Sequence, residues 1–181
     1  MTDHPTLTTD RLILRPLSHA DAEDLTRAVS HPEVARMMSS VALPWAEAAR
    51  HDWIDAALWR GVPGFRFAIC LKDGRFIGTA GFGGGPVPSL SYLLDPVHHG
   101  KGYATEAMRV FLTFVQDRFA PEVIEAGHFA DNPASGRVLA KLGFRRIGTR
   151  MVKSAAREGP AELCSYELTR NGFATRPAPK A

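Results

Sequence analysis

The 181-residue sequence is poor in cysteine, contains no long apolar run and has no large excess of charge of either sign. Two cysteines, Cys70 and Cys164, are too few for a disulfide framework, and we expect both to be buried thiols in a reducing compartment. No apolar stretch reaches the length of about 18 residues that a membrane-spanning helix needs. The first ten residues are polar and lack the apolar core of a signal peptide. These absences predict a cytoplasmic protein that has no membrane partner.

Charge and composition narrow the function further. The chain carries 22 basic and 19 acidic residues, giving a net charge of +3, and no dense run of Lys or Arg is present. This mild excess suits a small anionic ligand and argues against nucleic acid as a partner. No group of His, Cys, Asp and Glu has the spacing of a metal site, so we predict no metal. The length and the 45% hydrophobic fraction predict a single domain over residues 1–170 and a loose tail over 171–181.

Hydrophobic periodicity and turn residues predict an α/β fold of the α+β type. Three predicted strands follow one another in the middle of the chain, which argues against a doubly wound parallel sheet. We therefore predict a mixed, largely antiparallel, twisted sheet of about six or seven strands flanked by helices. Strands are predicted at 11–15, 65–71, 76–82, 89–94, 123–129, 144–151 and 162–168. Helices are predicted at 20–30, 32–38, 45–60, 104–119 and 133–142.

A glycine-containing turn, His98 to Gly102, joins a short apolar strand to the longest predicted helix. Glycine allows positive φ angles and lets a ligand approach the backbone closely. The first N–H groups of a helix lack intrahelical partners and carry the positive end of its dipole, so they can bind a pyrophosphate-like anion. The spacing is not that of a P-loop, and Thr105 stands where a dinucleotide fingerprint has its third glycine. An ordinary strand-to-helix turn is the alternative interpretation.

A second segment, Asn132 to Phe144, has the pattern of a short helix that begins after a cap at Asn132 and ends at Gly143. By itself this pattern indicates structure only. Together with the turn and the segment Thr9 to Arg15, it resembles the GCN5-related N-acetyltransferases, and among them the ribosomal-protein N-terminal (Rim-type) branch. The three segments occur in the family's order and spacing, and the resemblance spans roughly residues 7–170.

The resemblance implies an N-acetyltransferase that moves an acetyl group from acetyl-CoA directly to a primary amine. It implies that turn amides hold the CoA pyrophosphate, and that the strand before the turn pairs with the pantetheine arm beside a bulge that splays two strands. It also implies that Asn132 contacts this arm. The implied cofactor-binding residues are Tyr92, Leu93, Leu94, His99, Gly100, Lys101, Gly102, Tyr103, Ala104, Thr105, Asn132 and Ser135.

The implied chemistry is an attack by the neutral amine on the thioester carbonyl. A backbone N–H near Leu93 or Leu94 would stabilise the oxyanion. The catalytic residue implied by the resemblance is Ser135, as the acid toward the leaving thiolate. Many relatives have a Tyr at the position of Leu139 for this purpose, so Ser135 or water must replace it here.

Two further departures concern His99 and the strand before the turn. His99 stands where the family often has Arg or Gln, but binding through backbone N–H groups should survive this change. The sequence Ser89-Leu90-Ser91-Tyr92 replaces a frequent Glu-Ile-Gly-Tyr, so the common carboxylate base is absent. A lysine amine is only about 0.1% neutral at pH 7.5, whereas an α-amine is roughly one third neutral. The missing base therefore favours an α-amine or another amine of low pKa as the acceptor, and we expect the α-amine of a protein N-terminus.

Several alternatives stay open at this level. The acceptor can instead be a small molecule such as an antibiotic, an amino acid or a polyamine, and the chain can be a non-catalytic acyl-CoA-binding module. The protein can be a monomer or a homodimer. His128 is either a base in the cleft or a hydrogen-bonded histidine at the edge of the core, which we favour. Trp45, Trp53 and Trp59 either line an acceptor pocket or, as we favour, pack in the core.

Overall fold

A computed structural model describes residues 4–174, which form eight β-strands and six α-helices. In chain order these are β1 (Leu7–Thr8), β2 (Leu12–Pro16), α1 (Ala22–Val29), α2 (Pro32–Ala35), α3 (Glu47–Asp55), β3 (Phe65–Leu71), β4 (Phe76–Phe82), β5 (Leu90–Leu94), α4 (Tyr103–Phe119), β6 (Val123–Phe129), α5 (Pro133–Lys141), β7 (Arg145–Val152), β8 (Ala161–Thr169) and α6 (Arg170–Ala174). No helix within residues 4–174 is long and apolar enough to cross a membrane. The predicted α+β class is confirmed.

The strands form two sheets. The first has the order β1-β2-β3-β4-β5 and the second has the order β6-β8-β7, and every strand pair in both is antiparallel. The two sheets meet at a parallel bridge between Ser89 and Glu125, where the Glu125 N–H donates to the Pro88 carbonyl at 2.9 Å. The antiparallel character matches the prediction, but the strands are divided between two sheets and do not form one.

The two sheets separate because β5 and β6 touch at one end only. Beyond the bridge, their facing edges diverge and leave a gap between the sheets. The bulge expected beside Tyr92 is absent, since β5 pairs with β4 in unbroken register from Leu90 to Leu94. Among the described strands, the register shifts lie elsewhere, at Ile69/Cys70 and at Arg146/Gly148. The splay therefore comes from the missing pairing between β5 and β6, and not from a bulge.

Helices cover the first sheet on both faces. On one face, α4 and α5 pack over a core that includes Phe65, Phe67, Phe111, Ile124 and Leu139 and draws on both sheets. On the other face, α1, α2 and α3 enclose a smaller core. Apolar cover on both faces explains why all seven residues of β4 are buried. Both predicted buried thiols are confirmed, with Cys70 in the smaller core and Cys164 in β8.

Some predicted boundaries were wrong. The helix predicted over 45–60 covers only Glu47–Asp55, because the chain turns there and places Trp59 in the main core, 4.6 Å from the Phe65 ring. The helix predicted over 32–38 ends at Ala35. The two-residue strand β1 and the helix α6 were not predicted. The segment predicted as a loose tail begins inside α6, and residues 175–181 lie outside the described part of the chain.

Candidate active site

A cavity of about 670 Å³ lies where the two sheets separate. One side, which we call the turn wall, consists of β5, the turn after it and the first residues of α4 (residues 90–105). The opposite side is formed by β6 and the first turn of α5. At the end of the cavity next to α2, the lining residues are Met37, Met38 and Phe129. The segments that carry or contact them, residues 36–39, 129–131 and 153–157, form what we call the loop wall. The cavity therefore lies between two strand edges and beside a helix N-terminus.

The turn before α4 has the conformation that its glycines allow. Gly100 and Gly102 have φ angles of 74° and 82°, in the left-handed region that side chains rarely adopt. A Cβ atom at Gly100 would meet nothing within 4 Å, and one at Gly102 would meet only Arg11 Nη2 at 3.5 Å. The space in front of the turn is thus open. Because no side chain caps α4, its first N–H groups face this space with the positive end of the dipole.

Arg11 ties the N-terminal segment to this turn. Its Nε and Nη2 atoms lie 2.7 and 2.5 Å from the Glu106 carboxylate, and its Nη1 donates to the Lys101 carbonyl at 3.0 Å. Thr9 donates to the same carboxylate at 2.5 Å. Burial would raise the pKa of Glu106, but the hydrogen bonds from Thr9 and Arg11 outweigh it and hold that pKa below its ordinary value. Arg11 thus neutralises an acid that would otherwise repel an anion at the helix N-terminus.

The side chains of His99 and Lys101 both bond to nearby backbone carbonyls. The His99 ring lines the cavity, but its Nε2 lies 2.9 Å from the Leu94 carbonyl, so the side chain braces the end of β5. The Lys101 ammonium folds back and donates to the Val97 carbonyl at 2.9 Å, and this residue does not line the cavity. The remaining residues implied to bind the cofactor all line the cavity.

The backbone of β5 presents unpaired edge groups to the gap. The Ser89 carbonyl accepts from the Gly83 N–H, and the Asp95 N–H donates to the Ile77 carbonyl. In an antiparallel pair only alternate residues bond to the partner strand, so the odd-numbered residues of β5 bond to β4. The N–H and C=O groups of Tyr92 and the N–H of Leu94 therefore point into the gap, whereas those of Leu93 point to β4. Of the two residues expected to supply an oxyanion donor, Leu94 has the correct orientation.

The edge of β6 faces β5 across the gap in the same way. Its even-numbered residues bond to β8, since the Ala130 N–H donates to the Glu162 carbonyl in the continuing register. The backbone groups of Gly127 consequently point toward β5, and Gly127 is exposed. A Cβ atom there would lie 2.7 Å from Leu163 Cδ2. The gap is thus bounded on both sides by strand edges that can pair with an extended ligand.

The first turn of α5 lies over one face of the gap and contacts both edges. The Tyr92 hydroxyl donates to Ser135 Oγ at 2.9 Å, and Asn132 Oδ1 accepts from the Ser135 N–H at 3.2 Å. Burial raises the pKa of Tyr92 and outweighs the opposing effect of the Ser135 bond, so its hydroxyl keeps its proton at neutral pH. Asn132 is thus an N-cap that fixes Ser135, and the Ser135 hydroxyl proton remains available for the cavity.

His128 approaches the same helical turn from β6. It is 8% exposed, its Nδ1 lies 2.8 Å from the Phe129 carbonyl and its Nε2 lies 3.2 Å from the Tyr166 hydroxyl. A carbonyl can only accept, so Nδ1 carries the proton and Nε2 accepts from Tyr166. A Cβ atom at Gly136 would lie 2.6 Å from Nε2, so the helix needs glycine there. Both ring nitrogens are thus engaged, as expected for a histidine at the edge of the core.

Arg157 makes most of the side-chain bonds that join the segments of the loop wall, and the Ala155 N–H also donates to the Ser39 carbonyl at 3.1 Å. Arg157 donates to both Asp131 oxygens at 3.1 and 2.9 Å and to the Arg36 carbonyl at 2.9 Å, and its guanidinium lies 4.4 Å from the Phe129 ring centre. Arg36 also pairs with Asp131. Hydrogen bonding to Arg157 is the main cause that lowers the pKa of Asp131. Nearby, the Ser154 hydroxyl donates to the Met38 carbonyl at 2.7 Å.

Sequence reasoning missed Arg11, Tyr166, Arg157 and the side-chain role of Tyr92. Arg11 lies in the N-terminal segment that carries the resemblance, so that segment offered a signal. The sequence offered no signal for Tyr166, Arg157 or the Tyr92 side chain, because their bonding partners lie 26 to 121 residues away in the chain. None of the three tryptophans lines the cavity, in agreement with the favoured core interpretation.

A domain model described as the acetyltransferase (GNAT) domain matches residues 11–145, which is most of the chain. The chain therefore belongs to the GNAT family of acetyltransferases. Among its relatives, the N-acetyltransferase YoaA of Bacillus subtilis is 33% identical over 150 residues, which cover 80% of this chain and 85% of YoaA.

Two solved structures show the same fold. A GNAT-family acetyltransferase from Bacillus anthracis superposes with a TM-score of 0.78 at 19% identity, covering 92% of this chain and 99% of that one. RimJ of Mycobacterium smegmatis, solved in complex with CoA-disulfide, superposes with a TM-score of 0.75 at 20% identity. The match covers 96% of this chain and 90% of RimJ.

Proposed function

We propose that this acetyltransferase uses acetyl-CoA as its donor and acetylates a primary amine, with the α-amine of a peptide or protein N-terminus as the acceptor. The observation that carries the proposal is the gap between the β5 and β6 edges, which opens directly onto the glycine turn at the N-terminus of α4. One elongated ligand with an anionic end can occupy both features.

The residues present fit such a donor. The N–H groups of Tyr103, Ala104 and Thr105 and the open turn at Gly100 and Gly102 would hold the pyrophosphate, in keeping with anion binding at helix N-termini. The outward groups of Tyr92 and Leu94 would pair with the amides of the pantetheine arm as a partner strand does. Acetyl-CoA, when bound, supplies an activated thioester.

The chain's own groups supply the proton. Ser135 Oγ is positioned by the cap at Asn132 and receives a hydrogen bond from Tyr92, so its own proton can pass to a leaving thiolate while the Tyr92 bond stabilises the serine oxygen. The water that takes the amine proton then returns a proton to Ser135. The N–H of Leu94 faces the gap and can donate to a carbonyl oxygen in it. The proton donor is therefore a Tyr92–Ser135 pair assembled from β5 and α5.

The absence of a nearby base favours an α-amine. Glu33 is the carboxylate that lines the cavity among the described residues; it is exposed on α2, and His128 is already engaged at both ring nitrogens. Keeping a lysine amine neutral at pH 7.5 costs about 4 kcal/mol, whereas an α-amine is roughly one third neutral there. An α-amine needs only a water to take its proton.

The fold likeness to RimJ supports the Rim-type branch within this proposal. We further propose a single domain over residues 1–170 and a cytoplasmic location, which the two buried free thiols support. The protein would act as a monomer or a homodimer.

The first test is calorimetric titration with acetyl-CoA of the wild type, Gly102→Val and Gly61→Val. Gly61 has a φ angle of 79° and the same open surroundings, so both variants carry similar backbone strain, but only Gly102 lies in the turn. We expect Gly102→Val to lose affinity by about 10-fold or more, equal to about 1.4 kcal/mol, and Gly61→Val to bind like the wild type.

Turnover is then compared on two peptides, one with a free α-amine and no lysine, the other N-blocked with one lysine. We expect faster release of CoA with the free α-amine. Equal turnover of the two would contradict the α-amine proposal, and absence of acetyl-CoA binding at millimolar concentration would contradict the donor.

A further inference from the structure

Arg66 crosses the first sheet toward the cavity on the face opposite α5. It lies on β3, and its guanidinium extends over β4 to β5, where Nη2 donates to Ser91 Oγ at 3.0 Å. Glycine on β4 makes this possible, since a Cβ atom at Gly81 would lie 2.7 Å from Arg66 Nη1. Ser91 itself lines the cavity. The Arg66 guanidinium thus lies beside Ser91, the residue that precedes Tyr92 on β5.

No carboxylate among residues 4–174 lies within ion-pair distance of this guanidinium. Its other neighbours are the Trp53 ring, whose centre is 4.7 Å away, and Thr79 Oγ1 at 3.5 Å. Burial lowers the pKa of Arg66 to about 10, so it remains a cation at neutral pH. By contrast, Arg15 makes a two-pronged pair with Asp21 at 2.9 and 2.6 Å. Arg66 is half-buried and has no anionic partner among residues 4–174, so water screens its charge only in part and an anion that approaches it is bound strongly.

The position of this cation suits an acceptor. Alternate residues of β5 point to opposite faces, so the Tyr92 side chain reaches Ser135 on the α5 face while Ser91 lies on the face of α2. Under the proposed function, the thiolate leaves toward Ser135, and the amine enters from the other face, past Ser91 and Arg66. One strand spacing is about 4.8 Å, so a group bound to Arg66 lies roughly 5–8 Å from the gap.

We propose that Arg66, with the hydroxyl of Ser91, binds a carboxylate of the acceptor. The guanidinium offers a planar pair of N–H donors that matches a carboxylate, and the Ser91 hydroxyl, which accepts from Arg66, has its own proton to donate. The preferred acceptor is then a peptide whose first or second residue is Asp or Glu. This inference rests on the proposed function and names its substrate class.

The test compares peptides that begin with Glu or Gln, at the first and at the second position, because these side chains have the same shape and differ in charge. We expect the wild type to show a kcat/KM about 10-fold higher for the Glu peptide, mostly through KM. Arg66→Met should abolish this preference. Arg150→Met should keep it, because this exposed arginine lies on β7 of the second sheet, whereas Arg66 bonds to the cavity residue Ser91. Free glutamate and glutamine form a second arm, and a larger preference there would assign the carboxylate to a free amino acid.

Equal kcat/KM for the Glu and Gln peptides in the wild type would overturn the proposal, and so would a charge preference that persists in Arg66→Met. If Arg66→Met fails to fold, the comparison of Glu and Gln peptides in the wild type and in Ser91→Ala still tests the proposal. Calorimetry with the N-acetylated Glu and Gln peptides measures the same preference without turnover. Acetyl-CoA binding with no turnover of any acceptor would contradict the proposed function. The calorimetric titrations would in that case still test whether Arg66 binds a carboxylate.

Discussion

The turn wall and the loop wall of the cavity differ in how the chain builds them. The turn wall is one continuous segment, residues 90–105, whose exposed backbone groups face the gap. The loop wall joins three distant segments mainly through side chains, with Arg157 bonded to Asp131 and to the Arg36 carbonyl, and with one backbone bond from the Ala155 N–H to the Ser39 carbonyl. The turn wall therefore depends on backbone conformation, and the loop wall depends on particular side chains. Substitutions should separate the two in binding measurements.

The largest effect is expected where the two strand edges meet α5. Ser135→Ala removes the proton donor that we propose and should lower kcat by about 100-fold, while Tyr92→Phe leaves Ser135 in place and should lower kcat by about 10-fold. The dissociation constant of acetyl-CoA should stay within about twofold, since the backbone groups are unchanged. Pre-steady-state turnover and calorimetry measure the two quantities.

Tyr166→Phe is the control for that experiment, because it removes a hydroxyl that bonds to His128 on the opposite edge. A kcat that is unchanged in Ser135→Ala would show that water protonates the thiolate. A fall in Tyr166→Phe as large as in Ser135→Ala would instead place the proton transfer at His128.

The loop wall should respond to Arg157→Ala. This change leaves Asp131 with Arg36 as its remaining partner and removes the bond to the Arg36 carbonyl, so we expect a loss of about 2 kcal/mol in the free energy of unfolding. The acceptor KM should rise by about 10-fold while the affinity for acetyl-CoA stays constant. Urea unfolding and steady-state kinetics measure these effects. Equal loss of donor and acceptor affinity would contradict the division into two walls.

The turn wall should respond most weakly, through Arg11→Met. Without Arg11, the Glu106 carboxylate lies unneutralised in the first turn of α4, and the affinity for acetyl-CoA should fall about fivefold, equal to about 1 kcal/mol. The double variant Arg11→Met, Glu106→Gln should recover most of this affinity, because the repelling charge is gone. A double variant as weak as the single one would assign the loss to the bond between Arg11 and the Lys101 carbonyl.

The contrast between a wall made of one continuous segment and a wall made of distant segments also explains what the sequence could predict. The antiparallel α+β class, the glycine turn and the cap at Asn132 follow from local patterns of neighbouring residues, and the structure contains each of them. The Tyr92–Ser135 bond joins residues 43 positions apart, and the bond from Arg157 to the Arg36 carbonyl spans 121 positions. A one-dimensional pattern carries no signal for such pairs. The separation into two sheets was missed for the same reason, since it depends on which strands fail to pair.

The position of one side chain in the turn wall, that of Lys101, does not follow from the sequence. Lys101 stands in the segment that sequence reasoning treats best, yet its ammonium folds back on the Val97 carbonyl. Sequence spacing predicts where a backbone lies, but a long side chain has several rotamers and selects among them by local hydrogen bonds. The cofactor role that the resemblance implies for Lys101 is that of a turn amide, and this side-chain position leaves that role unchanged.

The single bridge between Ser89 and Glu125 has a consequence for how the protein folds. All strands of the first sheet come from residues 7–94 and all strands of the second from 123–169, so nearly every strand contact forms within one half of the chain. We expect two cooperative folding units that emerge from the ribosome in turn, with α4 completed between them. The main core takes Ile124, Leu139 and Leu168 from the later unit, so the earlier unit leaves apolar surface exposed until the later one docks.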